Sequence, residues 1–202
     1  MVLQPEPVVR ARGTGRVVAL TVDDGPAADT PALLDVLADL GVVATFCVVG
    51  EQVRAAPEVL RRTVAEGHLL ANHGWDLADL GAADEDDVER SLVRTSREIV
   101  RAVGPVPVRW YRAANGSWGR TAGVAVRLGL QPLGVTGTID DWRTQDAAVL
   151  ERNLRAALRP GGLLLVHDGG GDRRGTVAAV RRVVGEALAD GWLFSTPRHP
   201  DD

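Results

Sequence analysis

Short runs of β-branched and other apolar residues recur along the chain, separated by longer amphipathic stretches. The short runs predict strands at "RVVALTV" (16–22), "VVATFCVV" (42–49), "HLLAN" (68–72), "VRWYR" (108–112), "QPLGVT" (131–136), "GLLLVH" (162–167) and "WLFST" (192–196). The longer stretches predict helices near 29–40, 51–66, 84–103, 119–129, 146–158 and 175–190. Strands that alternate with helices argue for a parallel sheet with right-handed crossovers. Strands as uniformly apolar as "GLLLVH" suit a sheet covered on both faces. Asp29-Thr30-Pro31 caps and opens the first helix, and Gly41 closes it. The pattern suits a small α/β barrel or an open doubly wound sheet. It predicts one domain over 1–202, with 1–14 and 197–202 as loose tails.

Composition narrows the function. The hydrophobic content of 45% in 202 residues supplies a core. A net charge of −4 gives no reason to expect nucleic acid or an anionic membrane as partner. No run approaches the ~20 apolar residues of a membrane helix, and the start "MVLQPEPVVRARGTGR" has no apolar stretch of signal-peptide length. A soluble, cytoplasmic protein is the expectation. Cys47, the single cysteine, lies in "VVATFCVV", which excludes an intramolecular disulfide and predicts a buried structural thiol. There is no lysine, so Schiff-base catalysis by a lysine amine is excluded.

Parallel α/β folds collect functional groups at the carboxyl ends of their strands. Here those ends read "TVDDGP", "NHGWD", "YRAANG", "GTIDDW" and "LVHDGGG". Asp23 and Asp24 are adjacent carboxylates, costly together unless a cation compensates them. Adjacent residues face different ways, so one can bind a metal while the other acts as a base. His167 leaves an apolar strand and can exchange a proton near neutral pH. Gly169, Gly170 and Gly171 let backbone approach closely. Trp75, Trp110, Trp118 and Trp142 lie near strand ends, where they either stack on sugar rings or pack the core.

In this order and spacing, "TVDDGP", "GHLLANHGW", "YRAANG", "DDW" and "LLLVHDGG" resemble the five motifs of the polysaccharide deacetylase family, the NodB-homology or carbohydrate esterase 4 group. The likeness spans about 16 to 196. It implies a distorted parallel (β/α) barrel of about seven strands. It also implies metal-assisted removal of an acetyl group from an amide nitrogen of an amino sugar. By the resemblance, Asp23 is the catalytic base, Arg112 positions it, and His167 is the acid that protonates the leaving amine. Asp24 and His73 are metal ligands, and Asn115, Asp141 and Trp142 fall among substrate-binding positions.

The chain departs from the family pattern in three places. The second histidine ligand falls on Leu77. The proline and aromatic positions after the arginine read Ala113, Ala114 and Asn115. The carboxylate that tunes the acid histidine falls on Thr138, with Asp140 as its nearby substitute. Catalytic zinc usually takes three protein ligands. Either Asp76, three residues after His73, completes the set, or hydrolysis proceeds without a metal. The leading reading is a hydrolase of a carbon–nitrogen bond acting on a small amino sugar or a specialised metabolite. The alternatives are a non-catalytic ligand-binding pseudoenzyme and an isomerase or lyase on the same fold.

Overall fold

The computed structural model describes Leu3 and residues 5–201. Its elements run β1 (Val17–Asp23), α1 (Thr30–Leu40), β2 (Thr45–Val48), α2 (Gly50–Ala55), α3 (Pro57–Ala65), β3 (Leu69–Asn72), α4 (Glu85–Val103) and β4 (Val108–Tyr111). They continue with α5 (Thr121–Arg127), β5 (Gln131–Pro132), β6 (Gly137–Thr138), α6 (Ala147–Ala157), β7 (Gly162–His167), α7 (Arg174–Ala189) and β8 (Leu193–Ser195). Two predicted elements differ from expectation. Pro57, which has no N–H to donate, splits the helix expected at 51–66 into α2 and α3. The strand expected at 131–136 shortens to β5, and β6 forms just beyond it; the two pair with different neighbours.

All strand pairs are parallel, in the order β5-β4-β3-β2-β1-β7-β6. The sheet curls into the distorted (β/α) barrel that the motifs implied. One edge of β1 is shared: β8 pairs with Val17–Ala19 and β2 with Thr21–Asp23. Side chains alternate across each strand. Val18, Leu20 and Val22 point out to α1, α6 and α7, joining Leu34, Leu150 and Val180 in the main core. Val17 and Ala19 point inward with Cys47, Ala71, Trp110 and Leu163, which fill the barrel floor. Each fully buried leucine or valine contributes roughly 1.5–3 kcal/mol relative to exposure.

The expected loose tails are a correction in their described parts; Met1, Val2, Gln4 and Asp202 lie outside the described residues. Val8 bridges Leu133, and Ala11 bridges Pro197 and donates its N–H to the Gly161 carbonyl. His199 is buried and meets the Trp110 ring edge-on at 4.9 Å. The two terminal segments therefore close the floor of the barrel, where β5 and β6 leave a seam. A short terminal stretch with few apolar residues carries no periodic signal, so sequence alone gave no hint of this packing. Among the described residues, no helix is long and apolar enough to cross a membrane.

Candidate active site

The inward alternation that buries Val17 and Ala19 sends Thr21 and then Asp23 to the same face. The same rule sends Ala71 and then His73 inward on β3, Trp110 and then Arg112 on β4, and Leu163, Leu165 and then His167 on β7. Register aligns them: Asp23 is opposite His167 across β1 and β7. The result is a cleft of about 530 Å³ at the carboxyl ends of the strands, where Asp23, Asp24, His73, Arg112 and His167 meet.

Arg112 is buried, and all three of its guanidinium nitrogens donate hydrogen bonds. It donates to Asp23 Oδ1 (2.9 Å), Thr21 Oγ1 (2.7 Å), the Leu133 carbonyl (3.2 Å) and the Gly134 carbonyl (2.9 Å). One oxygen of Asp23 is thus held and its charge balanced, leaving Oδ2 toward the cleft side of His73, 3.6 Å from Nε2. His73 Nδ1 lies 2.8 Å from the Arg112 carbonyl, an acceptor, so this nitrogen carries the proton. Nε2 then faces Asp24 Oδ1 at 3.4 Å. Burial opposes charge on His73, but Asp23 and Asp24 outweigh it and hold its pKa above the ordinary value. Burial likewise opposes ionisation of Asp24, and His73 beside it tips the balance to a lowered pKa.

His167 is organised from behind. Its Nδ1 is 2.7 Å from Asp141 Oδ1, and its backbone N–H donates to Asp141 Oδ2 at 2.8 Å. Thr176 Oγ1 also donates to Asp141 Oδ2, and Arg173 Nη1 donates to the Asp141 carbonyl at 2.6 Å. The carboxylate that orients the histidine is therefore Asp141. Neither Thr138 nor Asp140 serves; Thr138 is exposed and accepts the Asp140 N–H. Asp141 is fully buried, which also corrects its expected place among substrate contacts. Burial lowers the His167 pKa, but the Asp141 hydrogen bond and the nearby carboxylates outweigh it, leaving the pKa above 6.5. Arg173, absent from the sequence reading, is also buried and donates to the carbonyls of Gly169 (2.7 Å) and Gly170 (3.3 Å). Its only sequence signal is an arginine just after a glycine run, which carries little information.

Two loops cross beneath these groups. A Cβ on Gly169 would come 2.3 Å from the Asp24 backbone oxygen, and one on Gly25 would come 2.3 Å from Asp168 Oδ2. Only glycine permits that approach. Asp168 accepts from Thr30 Oγ1 at 2.6 Å, and burial pushes its pKa up to about 7. Cys47 is fully buried beside Asp23, its register partner across β1 and β2, and burial pushes its thiol pKa well up.

Other expected residues divide. Asn115 sits at φ 57° in a short turn (Ala114–Gly116) and lines the cleft. Trp142 is 48% exposed on the cleft wall, edge-on to His167 at 5.6 Å. Trp118 also lines it, whereas Trp75 and Trp110 are core residues. Asp76 is not brought to the cleft. It is exposed, and its Oδ1 caps the Ala78 N–H at 3.0 Å. The expected helical turn after His73 does not form there, so its spacing of three residues does not align the two side chains.

The donor set decides whether a metal fits. Asp24 Oδ1 and His73 Nε2 converge as two ligands of one ion would. The third side belongs to Leu77, a hydrocarbon chain 46% exposed on the cleft wall. Asp23 is committed to Arg112. Among the described residues, no three His, Cys, Asp or Glu side chains are grouped to hold a metal ion. The residues present do not fit a resident three-ligand zinc.

A parallel α/β barrel with paired carboxylates and a carboxylate-backed histidine at its carboxyl rim belongs to the class of barrel hydrolases. The chain belongs to the polysaccharide deacetylase family, whose sequence profile matches residues 10–133, more than half of its length. It is 36% identical over 195 residues to a chitooligosaccharide deacetylase of Sinorhizobium fredii, covering 90% of this chain and 91% of that one. The crystal structure of the Bc1960 peptidoglycan N-acetylglucosamine deacetylase superposes with a TM-score of 0.87 at 26% identity, covering 95% of this chain and 90% of that one. A family 4 acetyl xylan esterase from Clostridium thermocellum, solved with a cobalt ion, superposes with a TM-score of 0.80 at 29% identity, covering 89% and 87%.

Proposed function

We propose that the protein hydrolyses the N-acetyl amide of an amino-sugar oligosaccharide, with Asp23 as base and His167 as acid. The amide-hydrolase class follows from the family, and the saccharide from deacetylase relatives such as that of Sinorhizobium fredii. The observation that carries the assignment of roles is the register pairing of Asp23 with His167, each backed by its own charged partner.

In this reading, Asp23 Oδ2 takes a proton from water as the water oxygen bonds to the amide carbon. Arg112 pairs with Asp23 and holds it in place. The tetrahedral intermediate then collapses, and the C–N bond breaks as His167 Nε2–H gives its proton to the leaving nitrogen. The products are acetate and a free amine. Asp141 accepts the His167 Nδ1–H and favours the imidazolium, whose second proton, on Nε2, is the one transferred. Trp142 offers an exposed surface for a sugar ring, and Asn115 offers an amide to the same cleft. Asp24 and His73 form a two-donor site, and turnover does not depend on a tightly held metal.

The test is acetate release from chitooligosaccharides. Asp23→Asn lowers kcat by at least ~100-fold with the fold retained. Near-normal turnover in that variant would remove Asp23 from the mechanism.

A further inference from the structure

Helix α4 carries Arg90, Arg94, Arg97 and Arg101 at intervals of four, three and four residues, so all four project from one exposed face. Arg54 of α2 joins them, and the five line a groove of about 420 Å³. Few carboxylates answer this charge. Glu98 is buried and pairs with Arg54 (3.0 Å) and more distantly with Arg101 (3.9 Å), and Asp87 pairs with Arg90. Among the described residues, Arg94 and Arg97 have no ion pair. Arg94 instead lies over the Trp75 ring, its Cζ 3.4 Å from the centroid. The whole chain is acidic at −4, so this face is a local reversal of sign.

We propose that this arginine face binds a saccharide chain bearing carboxylates along its length, as a docking track outside the catalytic cleft. The proposal rests on the saccharide reading of the cleft. Three observations carry it. Guanidinium forks match carboxylates in a planar, two-bond geometry. The helical rise spaces successive arginines by about 4.5–6 Å, the length of one sugar ring, so a chain with a carboxylate on each sugar meets one arginine per unit. The track also leads to the rim. Trp75, in contact with both Arg54 and Arg94, lies two residues beyond His73, and its backbone N–H donates to Ser91 of α4. A second copy of the chain is a poor occupant, because two-fold pairing of α4 would set arginine against arginine.

The probe is sodium polygalacturonate, titrated into the full chain at low salt and again at 0.5 M salt. The wild type binds at low salt and releases the polymer at high salt, because exposed charge pairs are screened. Arg97→Glu/Arg101→Glu, at two exposed sites away from the cleft, weakens binding at least tenfold while melting and chitooligosaccharide turnover stay unchanged. Arg97→Ala/Arg101→Ala gives a smaller loss in the same direction and guards against misfolding of the charge-reversed variant. Equal affinity of wild type and variants, or equal binding of neutral dextran, overturns the track. Tighter binding of poly-glutamate than of polygalacturonate also overturns it, by assigning the face to an acidic protein. Binding is read without turnover, so failure of the deacetylase reading and failure of the track remain separate results.

Discussion

At the scale of single residues, the site is a set of charges each answered by a partner. His167 is the clearest case, because Asp141 both orients it and holds its pKa above 6.5 against the opposing effect of burial. An acid must be protonated to act, so turnover falls as pH rises through that raised pKa. Removing the charge with Asp141→Asn moves this alkaline limb to lower pH and slows turnover, as a pH–rate profile of each protein measures. An unmoved limb would separate Asp141 from the acid. The same raised pKa contributes stability that is full below the unfolded histidine value and lost as pH rises through the folded one. Leu77 is the opposite case, a residue without the donor its position invites. Protein purified without added metal holds well under one zinc per chain, and its turnover survives chelation. Leu77→His raises bound zinc toward one per chain, measured by elemental analysis. Stoichiometric zinc in the wild type, with turnover lost on chelation, would defeat the metal-independent reading.

At the scale of elements, the cleft depends on two loops that cross at glycine. The loop after β1 and the loop after β7 meet where Gly169 faces the Asp24 backbone. Gly169→Ala places a methyl group where backbone already lies, so one loop shifts. The change destabilises by about 1–3 kcal/mol and displaces His167 relative to Asp23. Thermal melting and acetate release both register it; unchanged values in both would show that the loops can part at no cost. Sequence legibility follows the same elements. β1, β7 and α4 were readable because long apolar or amphipathic repeats have one structural solution. The shortening of 131–136 to β5 and the separate β6 at 137–138 were not, since a two-residue strand has no period.

At the scale of the whole molecule, the barrel is closed by its own termini. Ala11, Pro197 and His199 cover the floor that Trp110 would otherwise expose. Deleting 197–202 therefore lowers Tm by roughly 5 °C or more, each kcal/mol lost being worth about 2–4 °C in a domain of this size. Asp23, Arg112 and His167 lie at the other end of the strands and keep their geometry, so acetate release at low temperature is retained. A melting curve equal to that of the full chain would restore the tails to a passive role.

The sequence by itself determined the alternation of strands and helices, the barrel they build, the family, and the strand ends at which Asp23, His73, Arg112 and His167 emerge. Those features are local or ordered along the chain, so spacing and residue type carry them. Tertiary structure alone decided which carboxylate serves which cation. Asp141 rather than Asp140 reaches His167, since Asp140 turns away at φ 59° while Asp141 is buried behind β7. Asp76 caps its own turn and leaves Leu77 facing the cleft. Such choices depend on loop conformation over a few ångströms, and residues adjacent in sequence, such as Asp140 and Asp141, differ in nothing that the sequence displays.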